Sequence, residues 1–171
     1  MADKRPPRDY RHWEDEMLGE YLAKYHPECR VVMRVRLGPL TAPTSDPTLT
    51  PEEQRFVGVP FRRWADAMCV EGAQLNVIEA ALIPQPGDIS LLETYLHMVD
   101  VTPELQDVRH LGRQGILVWA VDDPYSRMIA VRHGLQVVIY KPSNLGEWIA
   151  AVRMRERRTA RTGLLVPSDA G

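Results

Sequence analysis

Two stretches rich in strand-forming residues, 62–70 and 74–82, flank Glu71-Gly72, and one carboxylate interrupts each. Asp66 sits in Arg63-Trp64-Ala65-Asp66-Ala67-Met68, and Glu79 in Asn76-Val77-Ile78-Glu79-Ala80-Ala81. Apolar runs on either side of a glycine-containing turn predict a β-hairpin. With Glu71 and Gly72 as the turn, Val70 faces Ala73 and Asp66 faces Val77. Glu79 then lies diagonally across from Asp66 on the same face, and Ala81 points the same way. A one-residue change of register would separate the two acids.

The rest of the chain must cover this hairpin. Trp13, Met17, Leu18, Tyr21, Leu22 and Tyr25 form a helical stripe over residues 12–26, ended by Pro27. Arg30 to Leu37 alternates as a strand with one wetter face. Residues 38–60 carry five prolines and predict a long loop, with a helical turn after Thr50-Pro51-Glu52-Glu53. Beyond the hairpin, Asp88 caps a helix running to about Val99. Ile116–Val121 and Leu135–Tyr140 read as buried strands, separated by a helix from Pro124 to His133. A last helix carries Leu145, Trp148, Ile149 and Val152. The expected fold class is α/β, a central mixed β-sheet flanked by helices. The expected organisation is a flexible basic N-terminus over 1–11, a single domain over 12–158 and a flexible tail over 159–171.

At 171 residues the chain fits one domain with a sizeable core. No apolar run reaches membrane-spanning length and no secretory signal is readable, so a cytoplasmic location and no membrane partner are expected. Cys29 and Cys69 are read as buried thiols without metal-type spacing, and no histidine pair shows ligand spacing. Trp64, Trp119 and Trp148 are expected in the core. The net charge of −2 excludes a polycation, but Arg153, Arg155, Arg157, Arg158 and Arg161 crowd the end of the chain. Such arginines either contact phosphate or decorate a solvated helix end.

The acids carry the chemistry. A lone carboxylate in a desolvated strand is costly, and shared cation binding removes much of that cost. Hard oxygen ligands suit Mg2+ or Mn2+, with the Ala80 carbonyl as a further ligand. A bound ion would polarise a phosphodiester and acidify an attacking water. Pairing with Arg62 or Arg63, or exposure to solvent, is the ordinary alternative. Glu16 or Glu20, on the first helix, is a candidate third carboxylate.

The blocks RRWADAMCV, LNVIEAALIPQPGDISLLETYLHM, GILVWAV and GLQVVIYKP resemble the PD-(D/E)XK nuclease superfamily, with its restriction-endonuclease-like fold. The likeness covers roughly Val59 to Pro142 and is nearest to repair-type and phage-type members. It implies that Asp66 is the first metal-binding aspartate and Glu79 the acid of the (D/E)XK triplet. Tyr95 is similar to the tyrosine of a Gln-x-x-x-Tyr helix motif. Two positions depart from the pattern: Ala81 stands where the lysine belongs, and Leu91 where the glutamine does. A missing well-aimed donor can remove about 3 kcal/mol of transition-state stabilisation.

The expected function is therefore a divalent-metal-dependent DNA nuclease; the resemblance implies a phage or mobile-element origin, which would place it in the host cytoplasm. Asp66, Glu79 and Tyr95 are its catalytic candidates, and Asp66, Glu79 and Ala80 its metal ligands. Arg62, Arg63, Lys141, Arg153 and Arg157 are the candidate DNA contacts. The alternative is a catalytically inactive protein of the same fold that binds DNA or acts in an assembly, as a homodimer or with a protein partner.

Overall fold

The chain is described by a computed structural model over residues 9–40, 48–58 and 62–150. Helix α1 (Asp9–Tyr25) leads through a tight turn into strand β1 (Arg30–Leu37). Helix α2 (Pro51–Gly58) precedes the hairpin of β2 (Arg63–Glu71) and β3 (Gln74–Ala81). Helix α3 (Pro86–Met98) and two short 3-10 turns, Val99–Val101 and Pro103–Val108, carry the chain to β4 (Gly112–Trp119). Helix α4 (Pro124–Arg132), β5 (Gln136–Ile139) and helix α5, whose described part is 145–150, follow.

The five strands form one mixed sheet in the order β1-β2-β3-β4-β5. β1, β2 and β3 pair antiparallel, while β4 and β5 run parallel to β3. Parallel neighbours need a crossover, and α3 and α4 supply the two required. Each face of the sheet has its own core. Leu75, Val77, Leu117 and Trp119 pack under α3 with Ile89, Leu92 and Tyr95, and Ala130 of α4 joins them. Ala67, Cys69, Ile78, Ala80 and Val118 pack under α1 with Met17, Leu18 and Tyr21, and Trp148 of α5 joins them. Each fully covered leucine contributes about 2 kcal/mol. A Cβ on Gly115 of β4 would lie 3.1 Å from Leu92 of α3 and 2.6 Å from Leu135, just ahead of β5.

The hairpin register differs from the sequence expectation. Glu71 pairs with Gln74 and Val70 with Leu75, so the turn is Gly72-Ala73. Gly72 takes φ 58°, the sign that a two-residue hairpin turn asks of its first central residue. The register moves by two residues and not one, so same-face relations survive. Continuing one step past Ala67 and Ile78 sets Asp66 directly across from Glu79.

Other boundaries shift for local reasons. α3 begins at Pro86, and Asp88 accepts the Gln85 N–H at 2.8 Å from inside the first turn. β4 starts at Gly112, because its polar first half pairs with β3 from Gln74 onward. The helical turn after Thr50 becomes α2, whose Thr50 and Glu53 exchange hydrogen bonds as a capping box. Trp64 is 50 % exposed and lies under the Arg36 guanidinium, while Trp119 and Trp148 are buried as expected. Among the described residues, no helix is long and apolar enough to cross a membrane.

Candidate functional site

The two acids of the hairpin meet two more from the helices on either face. Asp66 lies where β2 loses its regularity: the β1–β2 pairs run on both sides of it but skip it. Arg34, which would stand opposite, adopts φ 54°, a left-handed conformation that costs about 1–2 kcal/mol for a residue with a Cβ. In that gap the Asp66 carboxylate turns to β3 and accepts the Ala80 N–H at 3.0 Å. Glu79 shares the α3 face of β3 with Val77 and Ala81. Its Oε2 is buried without a hydrogen-bond partner among the described residues.

Glu14 of α1 accepts the Leu82 N–H at 3.5 Å, at the end of β3. Burial pushes its pKa up to about 7, opposed by that hydrogen bond and reinforced by the charges of Asp66, Asp88 and Asp15. Burial, then the Asp66 charge, raises Glu79 further still, and the charges of Asp88 and Glu14 act in the same sense. Asp88 is also raised by burial, against its hydrogen bond from Gln85. Tyr95 of α3 is buried, and its phenol is raised by burial and by Glu79 and Asp66. A neutral Glu79 beside a neutral phenol is the electrostatic state this packing imposes near pH 7.

The sequence expectations meet this geometry unevenly. Asp66, Glu79 and Tyr95 do come together. The acid that α1 contributes is Glu14, while Glu16 accepts from Asn144 and Glu20 accepts from Ser143 and Tyr140. Local pattern does not single out Glu14, which stands beside Asp15 and Glu16 in the sequence. Ala81, at the lysine position, is 8 % exposed and packs into the α3-side core. Leu91, at the glutamine position, packs against that same core. Arg62 is committed to Glu104 at 2.8 Å and to the Arg36 carbonyl at 2.9 Å. Arg63 and Lys141 are exposed, and Arg63 lies near enough to lower the Tyr95 pKa. Arg153 and Arg157 fall outside the described residues.

The Mg2+ or Mn2+ expectation is overturned. Among the described residues, the metal-capable side chains whose ligand atoms all converge within 4.8 Å are His26, Cys29 and Cys69. Those are soft and borderline donors, which favour zinc-class ions over magnesium. Among the described residues, no third carboxylate joins Asp66 and Glu79 in such a group. One Asp66 oxygen accepts the Ala80 N–H. Ala80 contributes its N–H to this cluster, and its assignment as a carbonyl metal ligand falls with the ion.

Sequence spacing does not reveal the converging trio, because Cys69 lies forty residues from Cys29. β1–β2 pairing closes that distance by placing Val31 opposite Cys69. Pro27 ends α1, and the following turn, closed by the Cys29 N–H on the His26 carbonyl at 3.2 Å, presents His26 and Cys29 together. The one legible signal was the His26-x-x-Cys29 spacing. His26 Nδ1 lies 3.9 Å from the Cys29 sulfur and 3.4 Å from Glu71 Oε2, and Nε2 lies 3.0 Å from the Tyr21 hydroxyl. Asn76 donates to the Cys69 sulfur at 3.6 Å. Burial raises the Cys69 pKa.

No protein-family model matches the chain, and no curated protein matches it. A crystal structure of a protein of unknown function, AF1548, superposes with a TM-score of 0.43 at 9 % identity, over 72 % of this chain and 56 % of that one. A likeness at that level carries no argument.

Proposed function

We propose that this chain is a non-catalytic protein of the restriction-endonuclease-like class that acts in an assembly through self-association of α4. The observation that carries this reading is the outer face of α4. Tyr125, Met128 and Ile129 are exposed at helical spacing, with Val121 leading into them and Val131 beside them; Tyr125 is 78 % exposed and Val131 60 %. A contiguous apolar patch on a short helix marks an interaction surface more often than chance exposure. Its ends differ in charge: Asp122, paired to Arg127 at 3.3 Å, and the capping Asp123 stand at the start, and Arg132 at the finish. Two copies packed antiparallel set the acidic start of one against the basic finish of the other, which is the self-complementarity a two-fold interface requires.

The non-catalytic part rests on the resemblance and on its departures. Position 81 holds a packed methyl group where the family pattern has a lysine, and burial, reinforced by the neighbouring acids, favours the protonated form of Glu79. DNA contact is the weaker branch, because Arg62 already serves an internal ion pair.

The test measures mass in solution against concentration by light scattering, with DNA binding followed by anisotropy in chelator. A dimer that Ile129→Glu returns to monomer is expected. A monomer at all concentrations that binds DNA favours the other branch. Metal-dependent cleavage of single-stranded, double-stranded or branched DNA, lost in Asp66→Ala, overturns the non-catalytic reading altogether.

A further inference from the structure

We infer that His26, Cys29 and Cys69 form a binding site for a zinc-class divalent ion, with Glu71 as the fourth ligand. The site is independent of the α4 surface. It joins three elements: the end of α1 and its turn, the start of β1, and the turn-side end of β2.

The distances fit a tetrahedral ion. With Zn–S of about 2.3 Å and Zn–N of about 2.0 Å, neighbouring ligand atoms stand about 3.6 Å apart. The His26 Nδ1 to Cys29 sulfur distance is 3.9 Å, and the Nδ1 to Glu71 Oε2 distance is 3.4 Å. All three atoms of the trio lie within 4.8 Å of one another, so closure needs movements on the order of 1 Å. The His26 side chain is only 9 % exposed, while Glu71 is freer and able to swing in.

The hydrogen-bond pattern points the same way. Two sulfurs and an imidazole nitrogen converge, and the Glu71 carboxylate stands 3.4 Å from that nitrogen; the set is rich in lone pairs. A cation satisfies all four at once. Ligation through Nδ1 requires the ring proton on Nε2, where the Tyr21 hydroxyl is placed to accept it at 3.0 Å. Outer partners of this kind fix the tautomer and aim the ring. The Asn76 amide supports the Cys69 sulfur from the opposite side. On binding, each thiol releases its proton to solvent and ligates as thiolate; nothing is oxidised or reduced.

The experiment titrates reduced, full-length protein with Co2+ and then displaces it with Zn2+. One Co2+ per chain with a thiolate-to-cobalt charge-transfer band, lost on adding Zn2+, is expected. Cys29→Ser and His26→Gln should weaken uptake at least tenfold while circular dichroism stays that of the parent. Tyr21→Phe should weaken it by about 10–100-fold, the usual range for an outer partner. Three results would overturn the site. One is folded, reduced protein that gives no charge-transfer band. Another is Cys29→Ser binding as tightly as the parent. The third is a Cys29–Cys69 disulfide forming in air at the same rate with and without saturating zinc.

Discussion

The β2–β3 hairpin carries an ionisable cluster at each end, and the two ends handle burial in opposite ways. At the open end, Asp66 and Glu79 meet Glu14 and Asp88, all of one sign. Like charges in a covered site raise one another's pKa, so the cluster sheds charge by taking up protons. At the turn end, His26, Cys29 and Cys69 bring three donor atoms together, and the Glu71 carboxylate stands beside His26. There the lone pairs converge, and an ion can replace the lost water. Acid count and ligand geometry are separate properties. The open end has more carboxylates, and the turn end has the convergent atoms.

Metal selectivity is the largest lever on this contrast. Zinc at a hundredfold excess over its Kd stabilises a folded state by about 2.7 kcal/mol. For a chain of this size that raises Tm by about 5–10 °C. Magnesium should leave Tm unchanged. A thermal shift from magnesium and none from zinc would reverse the assignment of the two ends.

Glu79→Gln comes next. A carboxyl whose folded pKa lies above its unfolded value of 4.5 holds a proton that the unfolded chain releases. Stability therefore falls as pH rises from about 4.5 toward the folded pKa. Glutamine cannot ionise, so the variant should gain about 2 kcal/mol near pH 8 and nothing near pH 4. Denaturant midpoints at the two values check this. A variant equally destabilised at both would mean that the buried carboxyl is satisfied as it stands.

Glu14→Gln should show the same sign with a smaller effect, confined to the window from 4.5 to about 7. Its partial exposure screens the interaction, and about 1 kcal/mol at pH 8 is expected. A slope in stability that persists unchanged between those pH values in this variant would remove Glu14 from the cluster.

Much of the fold was legible because periodicity reports burial directly. The two hairpin strands and most of the α1 stripe came from residues that touch the core, while Tyr25 of the stripe and Met33 of the expected β1 alternation are exposed. The hairpin register was misplaced because Glu71-Gly72 and Gly72-Ala73 are both plausible two-residue turns. Cross-strand packing decided between them, and it did so by a two-residue step that kept Asp66 and Glu79 together. Trp64 was misjudged because an aromatic beside a sheet edge can stack on a guanidinium as readily as enter the core.

The sequence by itself determined a mixed sheet with helices on both faces, the pairing of two hairpin acids and the absence of a lysine beside them. These follow from local pattern and residue identity. Only the tertiary structure decided which side chains share a point in space. It brought Glu14, and not Glu16 or Glu20, to the acids. It packed Ala81 into the core, and it carried Cys69 across the β1–β2 ladder to His26 and Cys29. Strand pairing sets such distances through contacts far apart in the chain, which no local spacing records.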